Sequence, residues 1–324
     1  MKIDLLDSKI LHELGMDARQ TNSQIGKKIG TSQQVVSYRI KQLMDKEIIT
    51  EFFTVIHFGA FGFSNYVAMI KLQDVEDQKK KEIIWGLSKR DNILLISECG
   101  GRWDLIVNIV AKSSANFEQE FSEILEEYAA NISDYDLFIS LGGSSFGRKY
   151  IHEGKDQRKT VSFGEEKIIK ISDSELKILR SLSKSARKSA VEIESEIGIN
   201  YKTVIQKIDG LRKRGIITGF RPFINVLKLG YFPSKIYLDI NKMTRLEERK
   251  FTEFLSSKKN AVGTLRMIGK WNFSITIETS NQEETWEFYK EIQNYLGGKI
   301  RSIELIPVFK KHEYKYFPES LLHD

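Results

Sequence analysis

One stretch of the chain combines an apolar stripe with side chains suited to contacting DNA. Within residues 32–46, Val36, Ile40 and Leu43 recur at helical spacing, and Ser32 is a favourable N-cap. The opposite face would carry amide, hydroxyl, aromatic and basic groups, namely Gln33, Gln34, Ser37, Tyr38 and Lys41. Glutamine can pair with adenine, and lysine can bind guanine or phosphate. The pattern therefore predicts a helix that contacts duplex DNA, with a merely solvated helix face as the alternative.

A second helix with a comparable face follows 168 residues later, because the chain contains an internal repeat. Residues Lys9–Phe52 align without a gap on Lys177–Phe220, and nearly all matching positions are apolar or glycine. The DNA-contacting side chains predicted there are Tyr201, Lys202, Thr203, Gln206 and Lys207. Residues 171–230 carry twelve Lys and Arg against six Asp and Glu, whereas residues 1–62 carry eight against seven. We expect the second copy to bind phosphate more strongly and the first to contribute more sequence readout.

Basic residues around these helices allow two interpretations each. Arg212, Lys213 and Arg214 end the second helix, where they could bind phosphate or be solvated and complement the helix dipole. Arg39 could clamp a phosphate or pair with a carboxylate inside the first copy. We predict phosphate contact by the cluster, and both roles of Arg39 stay open.

Glycine turns further along each repeat form a second candidate site. The sequence Gly101-Arg102-Trp103-Asp104 recurs as Gly269-Lys270-Trp271-Asn272. Backbone N–H groups of a glycine turn can hold a carboxylate and Asp104 an ammonium, which suits an amino acid. The candidate ligand-binding residues are Gly100, Gly101, Arg102, Asp104, Gly269 and Asn272. A tight hairpin around a core tryptophan is the alternative. Because Asn272 lacks the charge of Asp104, we expect at most one ligand site per pair of domains.

Each repeat divides into a helical part and a part in which strands and helices alternate. Three predicted helices precede a β-prone run that we interpret as a hairpin wing, as in a winged helix-turn-helix. The remainder reads as βαββαβ, the ferredoxin-like order. The predicted fold class is α+β, with two tandem units of a winged helix-turn-helix head and a ferredoxin-like βαββαβ domain. The predicted bounds are 1–60 and 171–228 for the heads, 61–145 and 229–324 for the ferredoxin-like domains, and 146–170 for a linker.

The sheet face opposite the helices of the first ferredoxin-like domain is apolar. Its predicted members are Val67, Met69, Ile96, Ile106 and Phe138. An uncovered face of this kind predicts self-association of the sheets, either as an intrachain pseudo-dimer or as a homodimer. The region 142–170 is rich in glycine, serine and charge, so we expect a tether or an arm that contacts phosphate.

Composition excludes several classes of protein. A hydrophobic fraction of 41% over 324 residues supports packed cores, and the net charge of +6 suggests an anionic partner. The single cysteine, Cys99, excludes an intrachain disulfide and a cysteine-based zinc site. No run resembles a signal peptide or a membrane span, so we expect a cytoplasmic location and no membrane partner. We assign no catalytic residue, metal site or cofactor.

The order of motifs resembles the Lrp/AsnC (feast/famine) transcription regulators, twice over. The residues that carry the resemblance are Lys9-Ile10-Leu11, Leu14, Arg19, Ile25, Ile29, Ser32, Val36, Arg39-Ile40, Leu43, Ile48-Ile49-Thr50, Gly101-Arg102-Trp103-Asp104 and Lys228-Leu229-Gly230-Tyr231. The resemblance implies a head that reads DNA and a β-domain that dimerises and often binds an amino acid. Because the family's usual chain holds one unit, this chain is similar to its tandem archaeal form.

Two other functions remain as alternatives. One is an architectural protein whose basic heads bind duplex DNA with little sequence preference. The other is an enzyme, because siroheme decarboxylases share this domain plan. Their activity is associated with histidines in the β-domain, whereas the five histidines here are scattered in sequence and absent from the predicted central strands. We therefore expect a regulator rather than an enzyme.

Overall fold

The computed structural model describes residues 3–152, 161–163, 168–315 and 317. The first repeat contains, in order, α1 (Leu5–Met16), α2 (Asn22–Ile29), α3 (Gln33–Asp45), β1 (Ile49–Ile56), β2 (Ser64–Leu72), α4 (Asp77–Lys89), β3 (Ile93–Cys99), β4 (Leu105–Ala111), α5 (Ser114–Glu127) and β5 (Ile132–Ser145). The short strand β6 (Val161–Phe163) follows. The second repeat contains α6 (Asp173–Lys184), α7 (Ala190–Ile197), α8 (Tyr201–Lys213), β7 (Ile217–Ile224), β8 (Phe232–Ile240), α9 (Arg245–Ser257), β9 (Ala261–Gly269), β10 (Phe273–Thr279), α10 (Gln282–Leu296) and β11 (Ile300–Tyr314).

The offset of 168 residues holds for every one of these paired elements. Each helix and strand from α1 to β5 begins 168 residues before its counterpart between α6 and β11. The internal repeat recognised over Lys9–Phe52 therefore extends through both kinds of domain. The compact units of the chain nevertheless do not follow the repeats, because the two heads form one unit and the two ferredoxin-like domains form the other.

Two compact units result from this grouping. The head unit contains the described residues of Met1–Phe61, Gly147–Val161 and Ile168–Tyr231, and the β unit contains those of Gly62–Phe146, Ser162–Lys167 and Phe232–Asp324. Much of the predicted linker, 153–160 and 164–167, lies outside the described residues.

Side-chain caps fix the helices of the heads. Thr21 and Ser189, which precede α2 and α7, each form a capping box with the residue three positions later. Ser32 Oγ accepts a hydrogen bond from Val35 N–H at 3.2 Å, and Asn200 Oδ1 accepts one from Lys202 N–H at 3.0 Å. The short helix, tight turn and longer helix predicted from the sequence are therefore present in both heads.

The predicted hairpin wing is wrong. After Ile56 the chain enters a short 3-10 helix at Phe58–Phe61 and does not turn back on itself. Instead β1 of the first head pairs antiparallel with β7 of the second, with Phe53 opposite Arg221. The wing strand of each head thus uses the other head as its partner, and the two heads share one two-stranded sheet.

The β unit contains two ferredoxin-like sheets joined edge to edge. The strand orders are β5-β2-β4-β3 in the first domain and β11-β8-β10-β9 in the second, as the βαββαβ prediction requires. The long strands β5 and β11 each pair first within their own domain and then with β9 and β3 of the other domain. Eight strands therefore close into a continuous ring, and β6 lies beside β5.

The apolar faces of the two sheets cover each other inside this ring. Val67, Met69, Ile106 and Phe138 pack in one buried cluster with residues of the second domain such as Tyr237. The predicted sheet association is thus present within one chain. Ile96 was assigned to this face wrongly, because an irregularity near Ile93/Leu95 shifts the alternation of β3 and places Ile96 in the helix-side core.

Residues 142–145 belong to β5 and not to the predicted tether. Gly142 and Gly143 pair with Arg266 and Leu265 of β9. The strands approach so closely that a Cβ at Gly143 would lie 2.0 Å from Thr264 O, so only glycine fits there. The glycine content that suggested a flexible region instead allows two strands to meet.

Within the described part of the chain, no helix has the length and apolar character needed to cross a bilayer.

Candidate nucleic-acid interface

The α3 helix presents the predicted polar face to solvent. Its opposite side is anchored by Val36, Ile40 and Leu43, which are buried. The exposed residues are Gln33, Gln34, Ser37, Tyr38 and Lys41. Tyr38 is 60% exposed, and its hydroxyl accepts a hydrogen bond from Gln42 Nε2 at 2.7 Å. A tethered aromatic ring and two unburied amides are therefore available to a nucleic acid, and their contact with DNA stays a prediction.

The α8 helix presents a face of different chemistry. Tyr201, Lys202 and Gln206 are exposed, whereas Thr203 and Lys207 are half-buried. Sequence reasoning missed Ile205, which is 47% exposed in the middle of this face, and the exposed Asp209. The repeat contains the signal for both, because the 168-residue offset aligns them with Ser37 and Lys41.

Arg39 forms an internal ion pair. Its Nη1 lies 2.6 Å from Asp4 Oδ2 and 3.3 Å from Asp7 Oδ1. Asp4 also accepts a hydrogen bond from Asp7 N–H, and this bond, with the Arg39 guanidinium, lowers the pKa of Asp4. Of the two roles left open for Arg39, the structure displays the internal one, which ties α3 to the start of α1.

The second head has an equivalent arrangement. Burial alone would raise the pKa of Glu175, but hydrogen bonds from Ser172 and the positive charges of Arg214 and Lys207 lower it. Lys207 is the counterpart of Arg39 and Glu175 the counterpart of Asp7. Lys207 therefore acts on Glu175 through its charge, while the ion-pair partner of Glu175 is Arg214.

Two residues of the predicted phosphate cluster contact other parts of the head unit. Arg212 Nη2 lies 3.2 Å from Asp17 Oδ2 of the first head. Arg214 Nη2 lies 2.5 Å from Glu175 Oε1, and its Nη1 donates to Lys170 O at 3.1 Å. Lys213 is exposed. The excess of basic residues in the second head thus serves the fold in part, so a charge count overstates the number of cations facing outward.

A reciprocal pair of arginines joins the heads. Arg19 Nη1 donates to Ala186 O and Lys188 O, both at 2.7 Å, and Arg187 Nη1 donates to Ala18 O at 2.8 Å. The guanidiniums lie over the rings of Phe220 and Phe52, respectively. Burial lowers the pKa of both groups from the usual arginine value. These contacts, which we call the arginine clasp, hold α3 and α8 in one unit.

The glycine turns proposed as a ligand site lie in the β unit, where Asp104 and Asn272 have structural partners. Asp104 Oδ2 accepts from Leu72 N–H at 2.8 Å and lies 3.0 Å from Lys71 Nζ. Asn272 Oδ1 accepts from Ile240 N–H at 3.0 Å. Gly100 N–H donates to Pro307 O, Gly101 has a left-handed φ of +89°, and Gly269 belongs to β9. Both polar side chains therefore complete strand ends, and ligand binding by these residues stays a prediction.

The basic residues of the two turns approach a shared group of carboxylates. Arg102 Nη2 lies 3.1 Å from Asp134 Oδ2, and Lys270 Nζ lies 3.0 Å from Asp136 Oδ2. Burial raises the pKa of Glu304, while Arg102 and Lys270 act in the opposite direction. The structure thus brings the two turns to one charged group of side chains.

The histidines are less scattered than the sequence suggested. The rings of His12 and His152 lie 5.1 Å apart in the head unit. His312 lies in β11, where its Nε2 lies 2.5 Å from Glu98 Oε1 of β3. β11 is the edge strand of the second ferredoxin-like sheet, and the central strands β2, β4, β8 and β10 contain no histidine, as expected. Among the described residues, no group of three or more His, Cys, Asp or Glu could hold a metal ion.

Comparison with known proteins agrees with this architecture. The AsnC-type helix-turn-helix domain matches residues 3–44. The transcriptional regulator Ptr1 of Methanocaldococcus jannaschii is 42% identical over 84 residues, which are 23% of this chain and 57% of that relative. The regulator FL11 of Pyrococcus furiosus is 30% identical over 112 residues, which are 35% of this chain and 73% of that relative.

A solved structure matches the fold of both repeats. The siroheme decarboxylase NirDL has a TM-score of 0.62 and covers 98% of this chain and 96% of its own, at 13% identity. At that identity the likeness concerns the fold alone. The sequence matches instead concern helix-turn-helix regulators. This chain belongs to the Lrp/AsnC family of helix-turn-helix transcription regulators.

Proposed function

We propose that this chain regulates transcription by binding specific duplex DNA through the outer faces of α3 and α8. The observation that carries the proposal is the exposure of Gln33, Gln34 and Tyr38 on one helix and Tyr201 and Lys202 on the other. Amide and ammonium groups on a helix of this width suit the donor and acceptor pattern of the major groove. The arginine clasp supports the proposal because it presents both helices from a single unit.

The test is DNA binding by the intact chain, measured by fluorescence anisotropy on fragments of its own upstream region at two salt concentrations. The variant Gln34→Ala/Lys202→Ala removes one exposed amide and one exposed ammonium from the two faces. We expect at least tenfold weaker binding, since each good base contact contributes about 1–3 kcal/mol. The loss of Lys202 should also reduce the dependence of affinity on salt.

A matched control makes the same two types of substitution in the β unit instead of the heads. The variant Gln119→Ala/Lys250→Ala removes an exposed glutamine and an exposed lysine from α5 and α9 of the β unit. Its affinity should equal that of the wild type. Equal affinity of all three proteins, or no binding at low salt, would overturn the proposal.

We further propose that the β unit binds an amino acid beside the glycine turns. The buried indole N–H groups of Trp103 and Trp271 are without hydrogen-bond partners among the described residues. The Arg102 guanidinium lies 4.7 Å from the centre of the Trp103 ring, and Lys270 Nζ lies 5.4 Å from that of Trp271. N–H donors and cations beside them are groups that bind a carboxylate.

Calorimetric titration of the intact chain with the twenty amino acids tests the effector proposal. An amino acid that binds should lose affinity when its carboxylate is replaced by an amide and when Arg102 is replaced by alanine. Trp85→Ala, which removes a 65% exposed tryptophan on α4, is the matched control and should bind the amino acid with the affinity of the wild type. Absence of heat with every amino acid would exclude this effector class.

We also propose that the chain lacks siroheme decarboxylase activity. The proposal rests on sequence similarity to regulators, since the likeness to NirDL concerns the fold alone. Adding siroheme to the intact chain should leave the absorption spectrum of the tetrapyrrole unchanged. A spectral shift followed by release of carbon dioxide would contradict the proposal.

A further inference from the structure

The two heads are related by a local two-fold axis. In the sheet that joins them, Phe53 lies opposite Arg221, its own counterpart in the repeat. The flanking pairs exchange in the same way, with Phe52 opposite Pro222 and Thr54 opposite Phe220. The arginine clasp obeys the same exchange, since Arg19 and Arg187 are also counterparts. The heads are therefore joined as the two subunits of a symmetric dimer would be.

The faces that this symmetry presents are not alike. Six counterpart positions on the outer sides of α3 and α8 differ, namely Gln33/Tyr201, Gln34/Lys202, Val35/Thr203, Ser37/Ile205, Tyr38/Gln206 and Lys41/Asp209. All of these side chains are exposed except the half-buried Thr203. The buried counterparts Val36/Val204 and Leu43/Leu211 are by contrast identical. The buried stripe of the two helices is therefore the same, whereas the exposed outer faces have diverged.

The differences change what each face can bind. Lys41 donates hydrogen bonds and attracts phosphate, whereas Asp209 only accepts them and repels phosphate. Ser37 bonds many base edges, whereas Ile205 offers only an apolar contact, which suits the methyl group of thymine. Gln34 matches adenine and Lys202 matches guanine. One base sequence cannot satisfy both faces.

We propose that this chain recognises a composite, non-palindromic DNA site, with a different half-site for each head and one fixed orientation. This inference rests on the proposed function and adds the class of DNA sequence to it. A symmetric homodimer must favour a palindrome because its two reading helices are identical. Here the pairing of β1 with β7 and the arginine clasp fix the relation of two unlike helices, so the spacing of the half-sites is fixed while their sequences differ.

Selection of tight binders from random duplexes by the intact chain is the first experiment. We expect a consensus whose two halves, one helical turn or a multiple of it apart, are not inverted repeats of each other. Affinity is then measured for this composite duplex and for two palindromes, each built from one half-site and its inverted copy. Each palindrome should bind at least tenfold more weakly than the composite duplex.

Transplanting the outer face of one helix onto the other tests the inference in both directions. The variant Tyr201→Gln/Lys202→Gln/Thr203→Val/Ile205→Ser/Gln206→Tyr/Asp209→Lys gives both heads the face of α3. Its matched counterpart Gln33→Tyr/Gln34→Lys/Val35→Thr/Ser37→Ile/Tyr38→Gln/Lys41→Asp gives both heads the face of α8. Each variant should prefer the palindrome of its own half-site over the composite duplex.

The outcomes separate this inference from the proposed function. A palindromic consensus, with tight binding, would overturn the inference and leave the proposed function standing. No enrichment of any sequence would overturn both. If one exchange variant fails to fold, the reciprocal variant and the affinities of the wild-type protein for the three duplexes still test the inference. Equal affinity of the wild-type protein for all three duplexes would contradict it.

Discussion

The head unit and the β unit each join two copies of one module, yet the copies have diverged in different places. In the heads, most buried apolar residues match across the repeat, and so do the bonds from Arg19 to Ala186 O and from Arg187 to Ala18 O, whereas the outer faces differ. In the β unit, the shared inner face itself has changed. Its apolar residues Val67, Met69 and Ile106 correspond to Lys235, Tyr237 and Ser274.

The difference shows what fusion of the two repeats permits. An interface between identical chains must fit itself, so each substitution appears twice and both copies must tolerate it. Within one chain the two sides can specialise separately. The β unit has diverged on its inner face and the heads on the outer faces of α3 and α8, whereas the pairing of β1 with β7 between the heads remains symmetric.

The largest effect is expected from the inner face of the β unit. Trp103 is fully buried there, and Trp103→Ala should lower the free energy of unfolding by about 3–5 kcal/mol, because it removes a large packed side chain. Urea denaturation of the intact chain measures the change. Trp85→Ala, at a 65% exposed position, should change stability by less than about 0.5 kcal/mol. A small effect of Trp103→Ala would mean that the two sheets do not form a common core.

Removal of either arginine of the clasp should lower the free energy of unfolding by the same amount. Arg19→Ala leaves the carbonyls of Ala186 and Lys188 unpaired, and Arg187→Ala leaves that of Ala18 unpaired. We expect each variant to lose about 2–3 kcal/mol in the same denaturation experiment, since hydrogen bonds to charged groups are strong. Lys250→Ala on α9 is a control for removal of a solvated cation. Losses that differ by more than twofold would break the symmetry we describe for the heads.

The pH dependence of the free energy of unfolding tests whether Lys235 is buried on the inner face of the β unit. Burial, with the nearby charge of Lys311, lowers the pKa of Lys235 from 10.5 to about 8. Between pH 8 and 10.5 the unfolded chain therefore binds more protons than the folded chain, so the free energy of unfolding should rise with pH. We expect a rise of about 2–3 kcal/mol that disappears in Lys235→Val, which restores the residue of the first repeat. Identical pH profiles for the two proteins would contradict the assignment.

The smallest effect on stability is expected at Glu47 and Gly215, which follow the C-terminal ends of α3 and α8. Glu47 adopts a left-handed φ of +56°, whereas its counterpart Gly215 has a φ of +74°. Glu47→Gly should raise the free energy of unfolding by about 0.5–1 kcal/mol, because glycine has no Cβ strain there. Gly215→Ala should lower it by about 1 kcal/mol for the same reason. Changes of the same sign in the two variants would exclude backbone strain as the cause.

Local features of the fold followed directly from the sequence. Apolar spacing and caps such as Ser32 predict α3 and its counterpart, because these signals lie within one turn of the helix. The 168-residue offset then fixes the order of all paired elements. Partners that lie far apart in the chain were harder to predict. The pairing of β1 with β7 depends on which edges meet after folding, and a strand pattern does not specify its partner.

The candidate site shows the same limit. The exposed face of α3 follows from its periodicity, but the partner of a cation does not. Arg212 and Arg214 looked like a phosphate cluster, and only the structure shows their contacts with Asp17 and Glu175. Ile205 was overlooked because an apolar residue in a helix is expected to be buried, and here the repeat alone reveals its outward position.

Competition between specific and random DNA tests the central claim most directly. The intact chain, bound to a fluorescent fragment of its upstream region at physiological salt, is challenged with the same fragment unlabelled or with random duplex of equal length. A sequence-specific regulator should require about 10³-fold or more random duplex for equal displacement. Equal displacement by the two competitors would contradict the account and indicate an architectural protein that binds DNA without reading it.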